Sequence, residues 1–244
     1  MRGTLTIFKR ELAGYFATPV AYVFLIIFLM LAGVFTWQIG GYYDVGQADL
    51  RGFFSFHPWL YLALIPALSM RLWAEERRSG TIELLMTLPI STANAVVGKF
   101  LAAWAFTGVA LALTATNWLS VNYLGDPDNG VILASYIGSF LMAGAFLGLG
   151  SMLSSITKNQ ISAFVLTFSV SLLFVLAGFP AVTDAVSGWA PDVLTESVRN
   201  LSFLFHFDAI TRGVVDARDA LYFLSLIALS LFATAIIIDL KKAD

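Results

Sequence analysis

Apolar residues run almost unbroken at six places along the chain, approximately 20–39, 53–70, 93–121, 131–156, 161–179 and 221–238. About 20 helical residues cross the roughly 30 Å hydrocarbon core of a bilayer, so each run predicts a membrane span. Ahead of the first, residues 4–17 place Leu5, Phe8, Leu12, Tyr15 and Phe16 on one side of a helix and Lys9, Arg10 and Glu11 on the other. That is the pattern of an amphipathic helix lying in the membrane surface. The run behind it is longer than the apolar core of a signal peptide and has no convincing cleavage site, so an uncleaved first span is expected. The second run holds Pro58 and Pro66 and should be kinked or broken. In the fourth, Gly144 and Gly148 have the spacing that lets a second helix approach closely. The connections include a loop at 40–52, a tight GDPDNG turn at 125–130 and a longer region at 180–220. In this last region Leu194, Val198, Leu201 and Phe205 share a helical face, and FLFHF at 203–207 is too apolar for a free loop. It is expected to dip back into the outer leaflet.

Polar residues are most concentrated between the second and third runs. Arg71, Glu75, Glu76, Arg77 and Arg78 end the second run with a ridge of charge. A central Arg in hydrocarbon costs about 2.5–3.5 kcal/mol on insertion scales, so the ridge is expected in water. Ser79, Gly80 and Thr81 supply cap and turn chemistry, Glu83 falls in a first turn where the helix dipole favours an anion, and Pro89 ends the segment. Residues 81–88 thus predict a helix of two turns, roughly 12 Å long. Its faces carry Ile82, Leu85 and Met86, and Thr81, Leu84 and Leu88, more apolar surface than two turns can bury. Either it packs against this chain's own helices or it fits a partner's socket.

Charge then sets an orientation. With both termini on the cytoplasmic side, that side holds Arg2, Lys9, Arg10, Arg71, Arg77, Arg78, Lys99, Lys158, Lys241 and Lys242. The outside holds Arg51, Arg199, Arg212 and Arg218. Ten of the 14 basic residues lie inside, which places residues 71–92 in the cytoplasm. A composition 59% hydrophobic and 12% charged is that of a membrane protein. Zero Cys excludes disulfides, thiolate metal sites and cysteine nucleophiles. No basic block interleaves with aromatics, so nucleic-acid binding has no support.

Several chemistries are missing. No GxxxxGK[ST] phosphate loop occurs, and Gly98-Lys99 lacks the upstream glycine and following hydroxyl, so ATP hydrolysis by that route is excluded. The two histidines, His57 and His206, suit interfacial hydrogen bonding better than metal or catalytic work. No span has an ionisable residue near its middle, and Lys99, two turns inside the third, can snorkel to the cytoplasmic surface. This pattern disfavours a proton- or sodium-driven carrier. Gln38, Thr114 and Asn117, with Thr116, are candidates to line a pathway or simply to bond neighbouring helices.

The string MRLWAEERRSGTIELLMTLPIS at 70–91, followed by VVGKFLAA at 96–103, resembles the first cytoplasmic loop of ABC-2 type permeases, most closely the gliding-motility-associated (GldF-like) group. The resemblance extends to FKRELAGYF at 8–16, FFSFHPWLYLALIPALSMR at 53–71, SYIGSF and SSITKNQISAF, and fades after about Phe179. It implies an all-α membrane protein with six transmembrane helices, a single ABC-2 domain over 1–244, an amphipathic connecting helix at 4–17, a coupling loop at 71–92 and short re-entrant helices before the last span. It also implies two copies of a separate ATP-binding subunit that carries ATP and Mg, a second permease chain making a homo- or heterodimer, and a site in the bacterial inner membrane. An extracytoplasmic accessory protein is a further partner to expect. On this resemblance Glu75, Glu76, Arg77, Arg78, Gly80, Thr81, Glu83 and Leu85 form the surface that meets the ATPase. The chain itself would hold no cofactor and would serve an ATP-driven exporter. The alternative is a membrane anchor that passes ATPase-driven mechanical work to an extracytoplasmic partner without a cargo.

Overall fold

A computed structural model describes residues 2–42, 46–82, 90–188, 190–213 and 216–241. The described elements are helical. The chain starts with α1 (Arg2–Phe16), breaks at Thr18, and begins α2 (Pro19–Val34) with proline in the first turn, where no amide donor is missed. A π turn (Phe35–Ile39) extends α2, with the Thr36 hydroxyl donating to the Ala32 carbonyl at 2.6 Å. Next come α3 (Arg51–Ser55), α4 (His57–Ser69), α5 (Arg71–Ser79), α6 (Thr92–Leu113) and α7 (Ala115–Leu124). The second half holds α8 (Asn129–Ile156), α9 (Gln160–Leu176), α10 (Pro180–Ser187), α11 (Asp192–Asn200), α12 (Phe203–Thr211) and α13 (Ala217–Leu240). Polar side chains set several starts: Asp128 accepts from the Gly130 and Val131 amides to open α8, and Asn159 from the Ile161 and Ser162 amides to open α9.

The long helix α8 is the hub. It packs against α13, α4, α9, α12, α6 and α5, and residues 142–151 of it are buried without interruption, Met152 being the first half-buried position after them. Small residues make that density possible. A Cβ at Gly148 would lie 3.3 Å from Ser230 Cβ and 3.5 Å from Ile227 Cα, and one at Gly144 would lie 2.8 Å from Ile227 Cδ1 and 2.9 Å from the Trp104 indole. Gly144 and Gly148 therefore face α13, and Gly144 also meets α6 through Trp104. Helices that lack a hydrophobic drive between them associate through this kind of backbone approach. The outward faces are apolar as well: Val23, Ile26 and Met30 on α2, Ile161 and Leu173 on α9, and Leu229 and Phe232 on α13 are exposed. Hydrocarbon is the natural solvent for that surface.

Among the described residues, four helical segments are long and apolar enough to cross a membrane: Pro19–Ile39, Thr92–Leu124, Asn129–Ile156 and Ala217–Leu240. The run at 161–179 appears as α9 followed by α10 at a 71° bend, a broken span or a re-entrant loop. The run at 53–70 differs from an unbroken span. It is interrupted at Phe56, restarts with His57 and Pro58 at the head of α4, and turns again at Met70. At 13 residues α4 reaches about 20 Å, short of the hydrocarbon core by itself. The FLFHF stretch forms α12, separated from α11 by Ser202, whose side chain caps it. Phe203 and Phe207 are buried against the bundle, while Leu194 and Leu201 stay exposed, so the expected shared face is divided between two helices.

Candidate functional site

The charged end of the bundle is organised around Lys99. Lys99 sits two turns into α6 with its side chain 5% exposed, so the snorkelling expected from sequence does not occur. Its Nζ lies 2.8 Å from Glu76 Oε1 and 3.2 Å from Glu11 Oε2, and 5.5 Å from the centroid of the Trp73 ring. Unpaired, a buried ammonium would be strongly unfavourable; here carboxylates from α1 and α5 meet it. The second Glu76 oxygen, Oε2, is buried with no hydrogen-bond partner among the described residues.

Each helix is held to the junction separately. Close approach fixes α1 on α6: a Cβ at Gly98 would fall 2.9 Å from Ile7 Cβ, Thr4 donates to Asn94 Oδ1 at 3.1 Å, and Tyr15 stacks on Phe106 at 5.1 Å. For α5 the anchor is α8. Met70 has no side chain able to cap, so Ser154 Oγ accepts from the Trp73 and Ala74 amides at 3.2 and 3.1 Å and donates to the Met70 carbonyl at 3.0 Å. The Trp73 indole donates to Ser151 Oγ at 3.0 Å. Arg77 donates to the Ser155 carbonyl at 2.6 Å, in the last turn of α8 where the helix dipole favours a cation. Lys241 donates to the neighbouring Ile156 carbonyl, and Thr92 donates to Asp239 Oδ1 at 2.7 Å, which brings α13 into the same knot. At the far end of α5, Gly80 takes φ +72°, the left-handed conformation that stops the helix with least strain.

The ridge of charge is therefore only partly solvated. Arg71, Glu75 and Arg78 are exposed, Glu76 and Arg77 are half-buried, and Leu72, Trp73 and Ala74 are buried between them. Nine residues of helix satisfy the charge cost by turning one edge to water and the other to fixed partners. Burial pushes the Glu11 carboxyl up, but Lys99 and the adjacent Arg10 guanidinium outweigh it and hold the group below the usual carboxylate value. Burial, reinforced by that same Glu11 charge, pushes the Tyr15 phenol well up, so it stays neutral.

Of the surface inferred from resemblance, Glu75, Glu76, Arg77, Arg78, Gly80 and Thr81 fall together on or just after α5. Glu83 and Leu85, with most of the helix expected at 81–88, lie outside the described residues. Gln38 is exposed on the π turn, Thr114 is buried at the α6–α7 junction with its hydroxyl bonded to the Leu111 carbonyl and Tyr136, and Asn117 is half-buried in α7. The histidines also settle differently from interfacial residues. His57 is wholly buried, its Nδ1 against the Phe53 carbonyl and its ring among Phe53, Phe54 and Tyr61. His206 lies 2.6 Å from Asp219 Oδ1, donates from Nε2 to the Asn200 carbonyl and stacks on Tyr222. Trp73, Ser151 and Ser154 are not marked by any sequence pattern as parts of a site, and Glu11 is legible only as a polar-face residue of the amphipathic helix. For the serines the available signal is three hydroxyl residues, Ser151, Ser154 and Ser155, at one-turn spacing in the last turns of the fourth apolar run.

Several membrane-length helices around a glycine-rich hub, with charge drawn into a junction at one end, define a multi-pass integral membrane protein. Residues 53–238 match the sequence model of ABC-2 family transporter proteins, and the chain belongs to that family. It is 32% identical over 123 residues to "Probable multidrug ABC transporter permease YbhS" of Escherichia coli strain K12, and equally to the protein of that name from strain O157:H7. The match covers 47% of this chain and 32% of the relative, so the chain spans about a third of the length of the curated relatives it matches.

Proposed function

We propose that this chain is the permease subunit of an ATP-driven ABC-2 exporter, taking its energy from a separate ATP-binding subunit. The observation that carries the reading is the Lys99 junction. It ties α1, α5 and α6 to one another at the point where α5 leads, through Gly80, into the segment that in this family meets the ATPase. A displacement imposed on residues 80–90 would be passed to α1 and α6 together instead of being lost in a loop.

On this reading six spans form half a pathway, with the break at Phe56 and the α9–α10 bend as features of the second and fifth, and with α10, α11 and α12 re-entrant in the outer leaflet. Two permease chains, identical or paired with a relative, would work with two ATPase subunits in the bacterial inner membrane, both termini cytoplasmic. Glu75, Arg78, Gly80, Thr81, Glu83 and Leu85 would face the ATPase, while Glu76 and Arg77 act from inside the junction. The GldF-like assignment and the force-transmitting anchor have no observation of their own, and the relatives' name favours a transported cargo. The test is reconstitution in liposomes with the ATPase encoded alongside. The reading expects a stable complex, no ATP turnover by the permease alone, and ATP-dependent release of a substrate. Turnover by the isolated permease, or a complex that never forms, would overturn it.

A further inference from the structure

The short helix α11 is fastened to the bundle by its C-terminal carbonyls. No residue of α11 is buried, and it packs chiefly on α10 and α12. At its end the Asn200 carbonyl accepts from His206 Nε2 at 2.9 Å, and the Leu201 carbonyl accepts from the Tyr222 hydroxyl. His206 comes from α12 and is buried. Its other ring nitrogen, Nδ1, lies 2.6 Å from Oδ1 of Asp219, itself buried in the first turn of α13, and its ring stacks on Tyr222 at 4.0 Å. Both ring nitrogens therefore face acceptors. A neutral imidazole has one N–H and one lone pair, so it satisfies one partner and turns a lone pair on the other. Against an ionised Asp219, the doubly protonated ring alone donates to both. A bond to a carboxylate is about twice as strong as one to a carbonyl, so a neutral ring keeps its proton on Nδ1 and the Asn200 carbonyl loses its donor.

Histidine is the side chain whose charge ordinarily changes between pH 5 and 8. The other charges on the elements packed around α12 are engaged or exposed. Asp208 pairs with Arg212 at 2.6 Å, and Arg199 of α11 lies over the Phe205 ring. Asp192 and Glu196 of α11, Arg51 of α3 and Arg218 of α13 are exposed, and Asp239 lies at the opposite end of α13, bonded to Thr92. α8 brings Tyr136, bonded to Thr114, and α9 has no charged residue.

We infer that His206 and Asp219 form a proton-operated latch on α11, docked when the ring is doubly protonated and loosened when it loses one proton. The docked state binds one proton more, so docking weakens as pH rises. In the topology proposed above the latch faces the exterior and reads the pH there; that sidedness rests on the exporter reading, and the latch does not.

The test uses the full chain in phosphatidylcholine nanodiscs. Its cysteine-free sequence admits a spin-label pair at Val193→Cys on α11 and Leu229→Cys on α13, both exposed positions. The distance distribution should be narrow at pH 5 and broad at pH 9, with the docked-to-loosened ratio falling at least about tenfold, the net worth of a hydrogen bond to a charged group. His206→Gln, which donates without titrating, should give the same distribution at both pH values. In Asp219→Asn the side-chain amide can donate to Nδ1, so a neutral ring keeps its Asn200 bond and α11 should stay docked at pH 9. Nitrogen NMR of the native chain labelled at histidine should show His206 doubly protonated at pH 5 and protonated on Nδ1 alone at pH 9. A ring neutral at pH 5, an unchanged distance distribution, or a pH response that survives in folded His206→Gln would overturn the latch. In oriented proteoliposomes, a response to pH on the cytoplasmic side alone would keep the latch and sink the outward topology.

Discussion

Replacing Lys99 by Met would remove the cation that Glu11 of α1 and Glu76 of α5 share while keeping the length and apolar stem of the side chain. Glu11 and Glu76, with side chains 22% and 19% exposed, would then face each other with only Arg10, beside Glu11, left as a counter-charge. Breaking a buried ion pair from one side costs about 3–5 kcal/mol. The partial exposure of both carboxylates lowers that to roughly 2–3 kcal/mol, by partial screening. For a chain of this size the loss corresponds to a fall in Tm of roughly 4–12 °C, read in nanodiscs. Lys99→Met combined with Glu11→Gln and Glu76→Gln should recover most of it, because an uncharged replacement removes the stranded carboxylates along with the lysine. The pH dependence gives a second readout with a fixed sign. In the native chain Glu11 has a lowered pKa, so its contribution is present above the ordinary carboxylate value and is lost only as pH falls through the lowered one. In Lys99→Met the Lys99 attraction is gone and only Arg10 still opposes the effect of burial on Glu11, so protonation relieves the crowded carboxylate pair. Tm of the variant should rise between pH 7 and pH 5 while that of the native chain stays flat or falls. With the ATPase present, the variant should also hydrolyse more ATP per substrate exported. An unchanged Tm with an unchanged ratio would refute the junction as a staple, and so would a triple variant no more stable than Lys99→Met.

Ser154→Ala removes the group that caps α5 and leaves the Trp73 and Ala74 amides without it; a loss of about 1–3 kcal/mol is expected in the same thermal assay, whereas Ser162→Ala should be silent. Gly148→Leu should destabilise the α8–α13 contact severely, and Leu133→Ala, at an exposed position on the same helix, should not. In the native cysteine-free background, Asp128→Cys should be labelled only from outside and Lys158→Cys only from the cytoplasm, and the reverse pattern would invert the topology. Leu85→Asp should weaken capture of the ATPase by at least tenfold and leave the permease Tm intact; loss of fold with capture retained would make 81–88 an internal packing element.

Hydropathy alone located the long apolar segments, because lipid demands about 20 apolar residues in a row and backbone groups that bond within the segment. The prolines at 58 and 66 announced a disturbance in the second run, and Gly144 and Gly148 announced a close helix contact, since both effects are local properties of the residue. Gly80 was equally readable, because a left-handed helix end is a demand on one residue. Which charges would be buried was not readable. Glu11, Glu76 and Lys99 lie far apart along the chain, and each by itself looks like a solvated side chain at a membrane surface. Only packing of α1 on α6 through Gly98, and of α5 on α8 through Ser154, puts the three within salt-bridge distance. The same is true of His206 and Asp219. Periodicity reports the environment each helix expects, while the pairing of charges depends on which helices meet and at what depth, and that is decided by tertiary contacts.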